Sequence, residues 1–91
     1  MNEIIDIFEE KATITTSKYN CEIRLPEEYV GHDCIITNKE NVEIYENNLT
    51  ILNKDLQINR RLRPFRKGES RLRLPKKYLN KTVIILIKNI E

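Results

Sequence analysis

Apolar and polar residues alternate with a period of two in several short stretches, the pattern of half-buried strands. Cys21-Glu22-Ile23-Arg24-Leu25, Val42-Glu43-Ile44-Tyr45 and Ser70-Arg71-Leu72-Arg73-Leu74 follow it, and residues 56–63 form a further candidate strand with a basic polar face. Cys34-Ile35-Ile36-Thr37 and the stretch from Thr82 to Ile87 are apolar runs that predict buried strands. Met1 to Lys11, with Ile4, Ile5, Ile7 and Phe8, reads as a short helix or a strand lead-in, and strand character sets in from Ala12 to Thr16. Turns fall at Ser17–Asn20, Asn38–Asn41 and Glu46–Asn48, so residues 42–52 make a hairpin. Pro64–Glu69 is a loop.

Two strands end in Leu-Pro. Proline suits the first position of a helix, where its missing N–H would have no partner. Pro26–Val30 and Pro75–Leu79 are therefore expected to be short helices, the first stopped by Gly31 and with Glu27 and Glu28 placed to favour its dipole. These two segments also expose a repeat. Arg24-Leu25-Pro26-Glu27-Glu28-Tyr29 matches Arg73-Leu74-Pro75-Lys76-Lys77-Tyr78, 49 positions later, and Cys34-Ile35-Ile36 falls on Val83-Ile84-Ile85. Apolar positions are kept while surface charges invert. The expected fold is mainly β with two short helices: one domain, 1–91, of a first, acidic repeat (12–55) and a second, basic repeat (56–91). Tyr29 and Tyr78 are equivalent positions and are expected to pack a shared core.

A chain of 91 residues buries only part of its surface, so stability leans on a core common to both repeats or on oligomerisation. Charge changes the picture more than size does. Residues 1–55 hold 5 Lys/Arg against 12 Asp/Glu, and residues 56–91 hold 11 against 2, so a total of only +2 conceals halves of −7 and +9. Asymmetry on this scale points to a polyanionic partner or to attraction between the halves. The acidic N-terminus lacks the form of a secretory signal, no apolar run is long enough to span a bilayer, and the two cysteines read as free thiols, all of which suggest the cytoplasm.

The basic residues cluster. Arg60, Arg61, Arg63, Arg66, Lys67, Arg71 and Arg73 fall within fourteen positions beside one acid, Glu69. A guanidinium offers a planar fork of donors that grips phosphate or guanine by two bonds. Two strands joined by a basic loop would form a ribbon of a size to enter a major groove. Alternation puts Arg61 with Arg63, and Arg71 with Arg73, on one face, while Leu62, Leu72 and Leu74 turn to the core. Phe65 and Gly68 shape the loop, where glycine permits close approach of phosphate to backbone. Lys76 and Lys77, at the start of the second short helix, are candidate phosphate contacts.

Strand, turn, strand, Leu-Pro, short helix, strand resembles the order of AbrB/SpoVT-like swapped-hairpin DNA-binding domains. Residues 67–83 are also similar to small archaeal transposon-associated proteins thought to share that design. The resemblance implies a tandemly duplicated chain that mimics the usual homodimer, contacting DNA through Arg60, Arg61, Arg63, Arg66, Arg71 and Arg73. The first copy departs from the pattern, offering only Lys18 and Arg24 among Thr13, Thr15 and Thr16, and no second hairpin follows Thr82–Ile87.

Cys21, His32 and Cys34 lack a fourth ligand and the spacing of a structural zinc site; Cys34 falls on Val83 and reads as a buried thiol, His32 as a surface residue. No metal or other cofactor is expected. One histidine, no phosphate loop and no nucleophile motif exclude the common enzyme classes. The expected function is double-stranded DNA binding in transcriptional regulation. The alternative is a protein-interaction module, antitoxin-like or a virus-encoded inhibitor, using the acidic face. RNA is a third partner class, disfavoured by the scarcity of aromatics among the arginines, where Phe65 stands alone. Both a monomeric pseudo-dimer and a true homodimer fit the duplication. No small-molecule substrate or membrane partner is expected.

Overall fold

The period-two stretches become strands, and the computed structural model of the chain describes them over residues 3–90. In chain order they are β1 (Ile4–Lys11), β2 (Ile14–Thr15), β3 (Asn20–Pro26), β4 (Asp33–Asn38), β5 (Val42–Tyr45), β6 (Asn48–Ile51), β7 (Ile58–Arg61), β8 (Arg63–Pro64), β9 (Glu69–Pro75) and β10 (Thr82–Lys88). One sheet has the order β1-β10-β4-β7, the second β2-β3-β9-β8, and β5-β6 is a separate ribbon; all pairs are antiparallel. The fold is mainly β. No helix among the described residues is long and apolar enough to cross a membrane.

The two expected helices are single 3-10 turns, Glu27–Tyr29 and Lys76–Tyr78, of three residues each. Proline starts each turn as anticipated, but Val30 and Leu79 are already extended, at ψ 131° and 132°. Gly31 and its equivalent Asn80 then turn the chain through left-handed conformations, φ +89° and +64°. A second departure concerns residues 56–63. They do not form one strand: β7 pairs with β4, β8 pairs with β9, and the chain changes sheet at Leu62. Leu62 fixes that crossing. Its N–H donates to the His32 carbonyl and its carbonyl accepts from Gly31, both at 2.9 Å, while its side chain is buried. Pro64, with no N–H, then cuts the following strand short. The segment before Lys11, open between helix and strand in the sequence, is the full edge strand β1.

The repeat appears as a pseudo-twofold relation. β3 pairs with β9 and β4 with β10, so each strand lies beside its own duplicate. The smaller pieces repeat as well: Thr16 N–H to Asn20 carbonyl (3.2 Å) recurs as Phe65 N–H to Glu69 carbonyl (3.4 Å). In the first sheet the two halves of the chain alternate, β1 and β4 from residues 1–55, β10 and β7 from residues 56–91. Neither copy can complete that sheet alone. One core joins them, built from Cys34, Ile36, Val83, Ile85 and Ile87 of the first sheet, Cys21, Ile23, Leu25, Leu72 and Leu74 of the second, and Ala12, Leu62 and Tyr78. Tyr29 is half-buried, packs against this core and donates its hydroxyl to Asp6.

Candidate functional site

The second sheet turns its apolar side chains inward and its charges outward. On β9, Ser70, Leu72 and Leu74 are buried, Arg73 is exposed and Arg71 half-buried; on β3, Cys21, Ile23 and Leu25 are buried and Arg24 is half-buried. Cross-strand register sets Arg71 directly opposite Arg63 of β8 on one side and Arg24 of β3 on the other. Three guanidinium-bearing residues therefore lie in a row across three adjacent strands. Arg73 stands opposite Glu22 in the next row. Like charges facing each other across strands destabilise a sheet, by a few tenths to about 1 kcal/mol per pair.

Glu22 is the counter-charge. It occupies an outward position yet is only 1% exposed. One oxygen accepts from Arg24 Nε; the other has no hydrogen-bond partner and lies 4.0 Å from Arg71 Nη1. A single carboxylate thus serves the Arg24, Arg71 and Arg73 positions around it, and positive charge remains. Arg24 also stacks on Phe65, its guanidinium carbon 3.8 Å from the ring centroid, with Arg66 at 5.3 Å and Arg71 at 5.9 Å.

The change of sheet at Leu62 gathers the rest. Arg60 and Arg61 leave the first sheet and meet Arg63, Arg71 and Arg73 of the second around a concavity of about 460 Å³, completed by Asn20 and Leu74. Arg61 is engaged, donating to both Asp33 oxygens at 3.0 and 3.4 Å. That bond holds the Asp33 carboxyl below the usual carboxylate range and pushes Arg61 further up. Both partners are exposed, so the pair is weak and open to exchange for another anion.

Other expected contacts lie elsewhere. Arg66 pairs with Glu69 and, with exposed Lys67, borders a different depression beside Phe65. The Gly68 N–H, at φ +86°, donates to the Glu27 carboxylate at 2.6 Å and is occupied. Lys76 and Lys77 sit on a turn too short to present a row of amides. The Lys76 N–H is bonded to the Tyr19 carbonyl at 2.9 Å, and neither lysine lines the arginine concavity. The projecting ribbon expected from residues 56–74 reduces to two paired positions, Arg63–Arg71 and Pro64–Ser70. The cations form a surface instead of an arm. Arg24 was absent from the expected set. Its sequence signal was its match to Arg73, which antiparallel pairing of the duplicates converts into a shared face.

A larger open depression of about 970 Å³ is bordered by Lys11, Lys39 and Lys81 and holds no guanidinium. Cys21 and Cys34 are buried in different sheets, and burial raises both thiols, Cys34 to about 12. His32 is half-buried, not a surface residue: its Nδ1 lies 2.7 Å from the Lys88 carbonyl. Among the described residues, no three His, Cys, Asp or Glu side chains converge as a group able to hold a metal ion. In comparisons with known proteins, no family model, no curated protein and no solved structure matches this chain.

Proposed function

We propose that this protein binds double-stranded DNA through the outer face of its second sheet and acts as a transcriptional regulator. The observation that carries the reading is Arg71 held between Arg24 and Arg63, with Glu22 the only acid paired with that row among the described residues. Phosphates of a duplex relieve that repulsion. Arg60, Arg63 and Arg73 surround the concavity and add to the contact, and Arg61 joins by exchanging Asp33 for phosphate. Arg66, Lys67, Lys76 and Lys77 act as peripheral backbone contacts. A surface, unlike a projecting ribbon, lies along the backbone and draws its affinity from phosphates.

The duplex is favoured over a single strand because Phe65, the aromatic beside the arginine row, already carries Arg24 over its ring. The alternating strands of the two copies support a fused, AbrB-like pseudo-dimer, which would present the site in monomeric form. The test is fluorescence anisotropy with a labelled duplex at two salt concentrations. Neutralising about five phosphates predicts a log–log slope near −4.5, or roughly a 10²- to 10³-fold loss of affinity between 50 and 200 mM salt. No binding, or tight binding indifferent to salt, rejects the proposal.

A further inference from the structure

The β5–β6 ribbon belongs to the first repeat and has no counterpart among the described residues of the second, so it stands outside the pseudo-twofold relation. Its base is fixed. Buried Asn41 donates to Thr37 Oγ1 and the Asn53 carbonyl, both at 2.8 Å, accepts the Asn53 N–H at 2.9 Å, and its carbonyl accepts the Leu52 N–H at 2.9 Å. Its tip is a tight turn with Glu46 and Asn47 left-handed, at φ 46° and 68°, the conformation that matches strand twist in a hairpin. On this anchored element Ile44 is 68% and Tyr45 70% exposed. A two-stranded ribbon is marginal in water, so covering its tip would stabilise it.

Charge identifies the cover. Glu40, Glu43, Glu46 and Asp55 flank the ribbon along the chain against exposed Lys54, while Lys39 is taken up by Glu9, so the ribbon segment is net acidic. The complementary surface of the molecule is the arginine concavity. The ribbon does not reach its own: it springs from the Asn38 end of β4, and Arg61 is paired at the Asp33 end, roughly 17 Å away along the strand.

We propose that the ribbon of one copy docks tip-first into the arginine concavity of a second copy. Glu43 and Glu46 face the guanidiniums, Tyr45 stacks on one of them, and arginine stems receive Ile44 on the ribbon's opposite face. Made reciprocally, the contact closes a twofold dimer. The dimer covers the surface assigned above to DNA, so self-association and duplex binding exclude one another. The inference rests on that surface being an anion site and not on the anion being DNA.

Sedimentation velocity on charge-swapped chains tests it. The wild type is expected to be a dimer at about 50 mM salt and a monomer at about 500 mM, where screening shortens several-fold. E43R/E46R, with ribbon and concavity both basic, is expected to stay monomeric at low salt, and so is R60E/R63E/R73E, in which the acidic ribbon meets a concavity holding three glutamates against Arg61 and Arg71. Mixed, the two chains have complementary surfaces at both contacts and are expected to form a 1:1 dimer, a result that misfolded chains could not give. A wild type monomeric at low salt overturns the proposal. So does a dimer that survives either set of substitutions, which would place the interface elsewhere, as on exposed Ile4, Ile5 and Ile7 of β1. So does a mixture that stays monomeric. A chain that fails to bind duplex yet passes the swap rejects the DNA reading alone.

Discussion

Ile23 lies directly opposite Leu72, the residue 49 positions later that duplicates it, in the pair at the centre of the second sheet. The first sheet repeats the relation, with Ile36 opposite its own duplicate Ile85. A residue paired with its duplicate marks a pseudo-twofold axis, and here the axis passes through both sheets and the core between them. All four side chains are essentially inaccessible. Substitution there strikes both copies at once. Leu72→Ala is expected to lower unfolding free energy by about 2–5 kcal/mol and Ile36→Val by about 0.5–1.5. Each should appear as a shift in urea midpoint in one cooperative transition, with no stage in which a single repeat remains folded.

Cations differ in placement, so their removal should differ in kind. Arg24→Ala, Arg63→Ala and Arg73→Ala should each weaken duplex binding and reduce the salt slope by about 0.9, as expected for one phosphate contact apiece. Lys76→Ala should change the slope by much less. Equal effects at Arg73 and Lys76 would show that binding follows net charge and not the arginine row.

Period-two alternation located β3, β5, β9 and the core leucines, because a strand with one wet face writes its geometry into every second residue. The Leu-Pro steps marked where strands stop. They did not reveal that the next element is a single 3-10 turn, since proline at a first turn serves both. The arginine row was only half legible. Arg71 and Arg73 share a face by local periodicity, but Arg24 joins them through a pairing 47 residues distant, and no local pattern encodes that. The break at Leu62 was also hidden. Residues 56–63 carry continuous strand propensity, and the switch between sheets is set by the long-range bonds of Leu62 to His32 and Gly31.

Gly31 and Asn80 are duplicates with the same left-handed backbone, one glycine and one asparagine. Asparagine tolerates that region far better than most residues, and a Cβ at Gly31 would meet nothing nearer than Ile90 Cδ1 at 4.0 Å. Gly31→Asn should therefore be close to neutral in denaturant midpoint, whereas Gly31→Val should cost more than 1 kcal/mol. Gly68 separates conformation from space: at φ +86° with no atom within 4 Å of a Cβ, Gly68→Ala should show the backbone cost alone, about 1–2 kcal/mol.

Alkaline pH should unfold this protein chiefly through two groups, with the buried Cys21 thiol, also raised, adding to them. Burial holds the Cys34 thiol up at about 12 from an ordinary 9.0, with Asp33 adding to the rise. The hydrogen bond to Asp6 does most to raise Tyr29 from 10.0 to about 12. Both are acids whose neutral form the fold prefers. Between the unfolded and folded values the unfolded chain has released protons that the native chain keeps, so stability falls as pH rises. The decline should begin near pH 9 from Cys34 and steepen above pH 10 as Tyr29 joins. Urea midpoints measured from pH 7 to 11 should fall least in Cys34→Ala over the lower part of that range, and Tyr29→Phe should flatten the upper part. The same burial makes Cys34 slow to react with thiol reagents at pH 8. Its labelling rate should follow the unfolded population, rising as urea is added; rapid labelling of the native protein would contradict its placement in the core.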